Sequence, residues 1–126
     1  MWQTLPILQV ALGGAIGAVL RYVVVTRAGA MLGGGFPWGT LAVNLVGCFL
    51  MGVLVSMLAA RGSLPPPLLT AGVLGGFTTF SAFSLEAVSL IERGAMGAAA
   101  GYVAASVLGT LLLCGSGMIL GRMVFA

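Results

Sequence analysis

The sequence predicts an all-α membrane protein of four transmembrane helices, the third of them broken. Composition points first to a bilayer: of 126 residues, 60% are hydrophobic and 6% charged, against about 25% charged in a soluble domain. The apolar residues then gather into four runs, each close to the roughly 20 residues that hydrocarbon demands of a helix. Finally, the stretch Gly72–Ser84, GVLGGFTTFSAFS, sets a glycine pair and a threonine pair at the middle of the third run. Backbone freed at that depth has no lipid partner and must be answered by protein, water or an ion.

The first run spans about Leu5 to Val25. Gly13, Gly14, Gly17 and Ala18 give it a small-residue face suited to close helix packing. Its start, MWQTLPILQVALGG, lacks the basic region of a signal peptide, so the run is kept as structure. Arg21 lies one turn inside the far end. It either snorkels to the headgroups or turns inward toward an anion. Arg27 through Pro37 reads as a glycine-rich connection, followed by Trp38 as an interfacial anchor.

The second run covers about Trp38 to Leu58. Thr40, Asn44 and Cys48 recur on one side of it. Asn44 is the only asparagine in the chain. It serves either as an interhelical hydrogen bond or as a donor to a bound anion. Arg61-Gly62-Ser63 forms a loop, and Pro65–Pro67 stops one helix and starts the next.

The third run, Pro66 to Leu90, is centred on Thr78. Interruptions at membrane depth suit ion sites, because loose carbonyls and half-helix ends carry partial charge; glycines here also serve simple packing. Phe80 and Phe83 share one face, with Ser81 and Ser84 on an adjacent stripe. Glu86 sits one to two turns from the end of the run, where a carboxylate is a functional candidate. Glu92-Arg93-Gly94 reads as a solvated loop. The fourth run, about Ala95 to Gly121, carries Tyr102, Ser106 and Thr110 in helical register, a polar line on an otherwise apolar helix. The whole chain, 1–126, is then one four-span domain.

This inventory excludes much chemistry. There is no histidine, and the charged groups are five basic and two acidic side chains. No histidine cluster, ligand-spaced cysteine pair or close carboxylate pair exists to run metal or acid–base catalysis. Cys48 and Cys114 both lie in apolar runs and read as small buried hydrophobes. The net charge of +3 reflects few charges and implies no nucleic acid.

With four spans both termini fall on one side, together with Arg61 and Arg122. Arg27 and Arg93 lie on the other, with Arg21 near its edge. A bias of at most one charge leaves insertion undirected. Two oppositely inserted copies then pair as an antiparallel homodimer, whose two-fold axis supplies the inverted symmetry that larger transporters build from repeats. Near the axis each break faces its mate, and the paired carbonyls make a cation site.

GGAIGAVLRY, GTLAVNLVGCFLMG, GGFTTFSAFSLE and the Tyr102…Ser106 pair resemble the bacterial Fluc (CrcB) fluoride channels over essentially the whole chain. The resemblance implies a dual-topology homodimer with two pores in the bacterial inner membrane, exporting fluoride passively and so lowering cytoplasmic fluoride. It assigns a structural Na⁺ at the dimer centre to the backbone carbonyls of Gly75 and Thr78. It makes Phe80 and Phe83 the rings beside the fluoride path and Asn44 the pore-lining amide. Tyr102, Ser106 and Thr110 become a polar track, joined by Thr40 and Ser84, with Arg21 and Glu86 as electrostatic residues. Ala82 departs from the family, where threonine is frequent. The rival reading is a proton-coupled multidrug exporter, which needs a first-span glutamate that this chain lacks; a poreless membrane subunit would leave the polar line on the fourth helix without a purpose.

Overall fold

The computed structural model of the protein describes residues 4–125. Among them every regular element is helical: α1 (Thr4–Leu32), α2 (Trp38–Ala60), α3, wound as a π-helix over Leu68–Leu74 and as an α-helix over Gly75–Phe77, α4 (Ser81–Glu92) and α5 (Met96–Phe125). Four helical stretches are long and apolar enough to cross a bilayer: α1, α2, α3 with α4, and α5. The chain is therefore a multi-pass membrane protein.

α1 runs further than the sequence suggests. The connection expected over Arg27–Pro37 shrinks to the residues after Leu32, because nothing between Arg27 and Leu32 forbids a helix and one glycine there is tolerated. What stops α1 is Gly33, at φ +81°, a left-handed conformation that other residues rarely accept; its N–H still reaches the Gly29 carbonyl at 3.0 Å. At 29 residues, α1 is about 43 Å long, so its last turns project beyond the roughly 30 Å of hydrocarbon. α5 likewise continues past Gly121 to Phe125. There Arg61, capping the end of α2, lies 5.4 Å from the Phe125 ring centroid, a cation–π contact joining two helix ends.

Runs of spaced glycines let the helices meet at backbone distance in two pairs, and Gly39 of α2 does so singly against Val25 of α1. Gly13 of α1 faces Gly72 of α3, Gly17 faces Val73 and Phe77, and Gly76 faces Gly14 and Ala18. A Cβ on Gly13 would strike the Leu68 carbonyl, and one on Gly17 the Val73 carbonyl. In the second pair, Gly52 of α2 lies against the Cys114 carbonyl of α5, while Gly117 and Gly121 of α5 lie against Phe49 and Val53 of α2. Both pairs have the small-xxx-small spacing that replaces hydrophobic burial as the packing device in lipid.

The π-winding of α3 is present from its start. Three prolines precede it, and the Gly72 N–H bonds the Pro67 carbonyl at 2.9 Å across five residues. Such wide turns are rare and gather at functional sites. α4 packs on α5 and α2 through a small core of Leu41, Phe83, Ala87, Leu90, Ala99 and Tyr102. Most other large apolar side chains point outward, as a lipid-facing surface requires.

Candidate functional site

The third span leaves its helix at Thr78, whose φ of −85° and ψ of 156° are extended, and becomes helical again at Ser81. The glycine pair lies inside the last helical turn, so the interruption starts just after it. Threonine chemistry explains the position. The Thr78 hydroxyl donates back to the Leu74 carbonyl at 2.9 Å. The Thr79 hydroxyl accepts the Ala82 N–H at 3.1 Å, in the manner of an N-cap that opens α4.

Asn44 holds the interruption from α2. Its Oδ1 accepts the Thr79 N–H at 2.7 Å, and its Nδ2 donates to the Thr79 carbonyl at 2.9 Å. The side chain thus pairs with one residue's backbone in both directions, as a neighbouring strand would. In an unbroken helix the Thr79 N–H would cover the Gly75 carbonyl, and the Ala82 N–H would cover that of Thr78. Asn44 and the Thr79 hydroxyl divert both donors, which releases the Gly75 and Thr78 carbonyls from them. Gly76, between them, keeps its carbonyl covered: Arg21 donates to it from Nε at 3.0 Å. Of the two readings open for Arg21, the inward one describes this contact, although the group it meets is a carbonyl.

Asn44 and the interrupted stretch border a cavity of about 380 Å³. Its polar wall includes Asn44, Thr79, Ser106 and Thr110, and Phe80 and Phe83 line it as well; Gly75 and Thr78 also face it. Ser106 is buried, and its Oγ finds no partner among the described residues. A buried hydroxyl left so costs about 1–3 kcal/mol, which makes it a ready donor to an occupant. Thr110 donates back to the Ser106 carbonyl at 2.6 Å. The Phe80 and Phe83 rings sit 5.4 Å apart, tilted at 52°. Phe83 is buried whereas Phe80 is 77% exposed, so one ring is fixed in the core and the other stands at the protein's edge.

Glu86 belongs to a second group. Thr40 donates to its Oε1 at 2.8 Å and Tyr102 to its Oε2 at 2.7 Å. Tyr102 is fully buried, with its ring 5.2 Å from Phe83 and 5.4 Å from Phe36. The expected polar line on α5 therefore divides. Ser106 and Thr110 face the cavity, while Tyr102 holds Glu86. Ser84 joins neither group, since its hydroxyl bonds back to the Phe80 carbonyl at 2.9 Å. Cys48, read from sequence as a buried hydrophobe, lines the cavity beside Asn44; its place one turn after Asn44 was the available signal. The capping part of Thr79 was signalled by the threonine three residues ahead of Ala82.

Fold and site together define a small four-span membrane protein whose interrupted third span opens onto a donor-bearing cavity flanked by phenylalanine rings. The chain belongs to the family described as CrcB-like protein, Camphor Resistance (CrcB), which matches residues 8–118. It is 54% identical over 121 residues to a protein of Chelativorans sp. (strain BNC1), covering 94% of this chain and 97% of the relative. It is 54% identical over 119 residues to one of Agrobacterium fabrum, covering 92% and 95%, and 58% identical over 101 residues to one of Cereibacter sphaeroides, covering 80% and 82%. Each of these relatives bears the name "Fluoride-specific ion channel FluC".

Proposed function

We propose that the protein is a fluoride channel of the bacterial inner membrane, passing the anion down its gradient as an antiparallel homodimer with two pores and a structural Na⁺ between its halves. It is an ion channel and not an enzyme. The observation that carries the reading is the cavity beside the interrupted span, where a buried, unpartnered Ser106 hydroxyl faces two phenylalanine rings. The names borne by relatives over nearly the whole chain support it.

Fluoride is small and strongly hydrated, so a pore must replace its water with donors. Ser106 offers a free hydroxyl. Asn44 has spent one Nδ2 proton on the Thr79 carbonyl and keeps the second. Thr110 turns its proton toward the Ser106 carbonyl, and donates to an anion only after rotating. The edges of Phe80 and Phe83 present C–H groups with partial positive charge, attractive without forming a deep trap. Weak, successive sites let an ion leave as readily as it enters. Glu86, held by Thr40 and Tyr102, would bound this path with negative charge, and Arg21, on the Gly76 carbonyl, brings a positive charge beside the break.

The Gly75 and Thr78 carbonyls fit a hard cation, which takes oxygen ligands. Their helical donors are diverted to Asn44 and Thr79, and uncovered carbonyls in lipid are costly. Two copies meeting at this edge would bring four such oxygens to one Na⁺, whose charge would fix the interface. The exposed Phe80 ring would then meet the partner copy, so each pore draws on both.

Fluoride and chloride loss from liposomes containing only this protein tests the reading. Rapid fluoride loss with chloride retained supports it. Proton movement driven by a drug gradient, with no fluoride loss, would replace it with an exporter.

A further inference from the structure

A second cavity, of about 220 Å³, lies where the end of α1, the loop after it, the start of α2 and the end of α4 come together. Its wall carries Thr40, Glu86, Ser89 and Arg93, together with Phe36 and Trp38. Thr40 and Glu86 belong equally to the hydrogen-bonded group with Tyr102. Phe83 touches Tyr102 from the side of the first cavity, and Phe36 touches it from the side of the second. Tyr102 thus touches the lining of both spaces. On the channel reading, the second cavity stands at the aqueous end of the same route, in front of the Glu86 carboxylate.

We propose that this cavity is an anion-collecting antechamber and that Arg93 is its steering residue, raising the local concentration of small anions before they reach Glu86. The inference rests on the channel reading. Arg93 is exposed at the end of α4 and its side chain borders the cavity, so it attracts ions without holding them. A cleft walled by low-dielectric groups focuses the field of such a charge. For an ion about 10 Å away in water, one unit charge changes its local concentration by about twofold. Reversing that charge changes it by about fourfold on the same reckoning. The effect is on capture, so it belongs to the rate at low fluoride and not to the saturated rate.

The test measures initial fluoride efflux from liposomes bearing wild-type protein, Arg93→Gln, Arg93→Glu or Arg93→Lys, at low fluoride, with an impermeant salt setting ionic strength. At about 10 mM, where the screening length is about 30 Å, Arg93→Gln should run about twofold and Arg93→Glu about fourfold slower than wild type, with Arg93→Lys unchanged. At about 1 M, where screening acts within about 3 Å, all four should converge. Equal rates for wild type and Arg93→Glu at low salt would overturn the inference while leaving the channel reading intact. So would a loss that persists at high salt or is not restored by lysine, which would make Arg93 structural. A wild type that passes no fluoride at either salt would overturn both.

Discussion

Asn44→Ala is the substitution that reaches furthest into this architecture. The change removes two hydrogen bonds, of 2.7 and 2.9 Å, between a buried amide and the Thr79 backbone. Each is worth about 0.5–1.5 kcal/mol net, and interhelical bonds in lipid fall in much the same range. Together they contribute about 1–3 kcal/mol to the interrupted geometry. The Thr79 N–H, once released, returns to the Gly75 carbonyl one turn back, and the helix begins to mend. By the usual conversion, the competent geometry loses about 5- to 150-fold in population relative to its competitors. Fluoride efflux from liposomes should fall by a comparable factor, and reversible unfolding in mixed micelles should show a loss within the stated range. Asn44→Asp sharpens the test. It keeps an acceptor for the Thr79 N–H but sets a carboxylate oxygen against the Thr79 carbonyl and negative charge on the path, so its efflux should fall at least as far. Wild-type stability and wild-type efflux in both variants would refute the clamp.

Tyr102→Phe deletes one charge-assisted bond to Glu86 and should cost about 1.5–3 kcal/mol in the same unfolding assay. A coupling with Glu86→Gln near zero in a double-mutant cycle would show that the pair is incidental. Gly17→Ala drives a Cβ onto the Val73 carbonyl, whereas Gly14 has open space around it; the first should destabilise by about 1–3 kcal/mol and Gly14→Ala by almost nothing, as thermal unfolding in detergent would report. Phe80→Ile should slow fluoride efflux while leaving oligomeric state on size exclusion unchanged, because it removes a ring edge from the path while isoleucine keeps an apolar contact for the partner copy. Sodium carried through extensive sodium-free washing should stay with the protein at a fixed ratio, and its ready exchange with full activity would deny it a structural part.

Apolar length is the governing signal in lipid, so Trp38 marked the start of α2 and Pro65–Pro67 the start of α3, although α2 itself ends at Ala60, ahead of the prolines. Gly33 misled for the opposite reason: a glycine-rich segment looks like a loop throughout, although only the glycine with positive φ ends the helix. Thr40, Asn44 and Cys48 on α2, and Tyr102, Ser106 and Thr110 on α5, could each be grouped by helical spacing, which shows that polar groups share a face. Spacing does not say what they meet. The pairing of Asn44 with Thr79 backbone, of Arg21 with the Gly76 carbonyl, and of Glu86 with Thr40 and Tyr102 each joins residues on different helices, and depends on how closely glycine lets those helices approach. Thr110 and Ser84 show the converse, since both satisfy themselves on their own helix.

Cryo-electron microscopy of the full-length protein in lipid nanodiscs, with Na⁺ and fluoride present, bears most directly on the central claim. The account predicts two oppositely oriented copies in contact at their third spans, with a single density enclosed by the Gly75 and Thr78 oxygens of both. Copies inserted the same way, or a continuous helix across Thr78–Phe80, would contradict it.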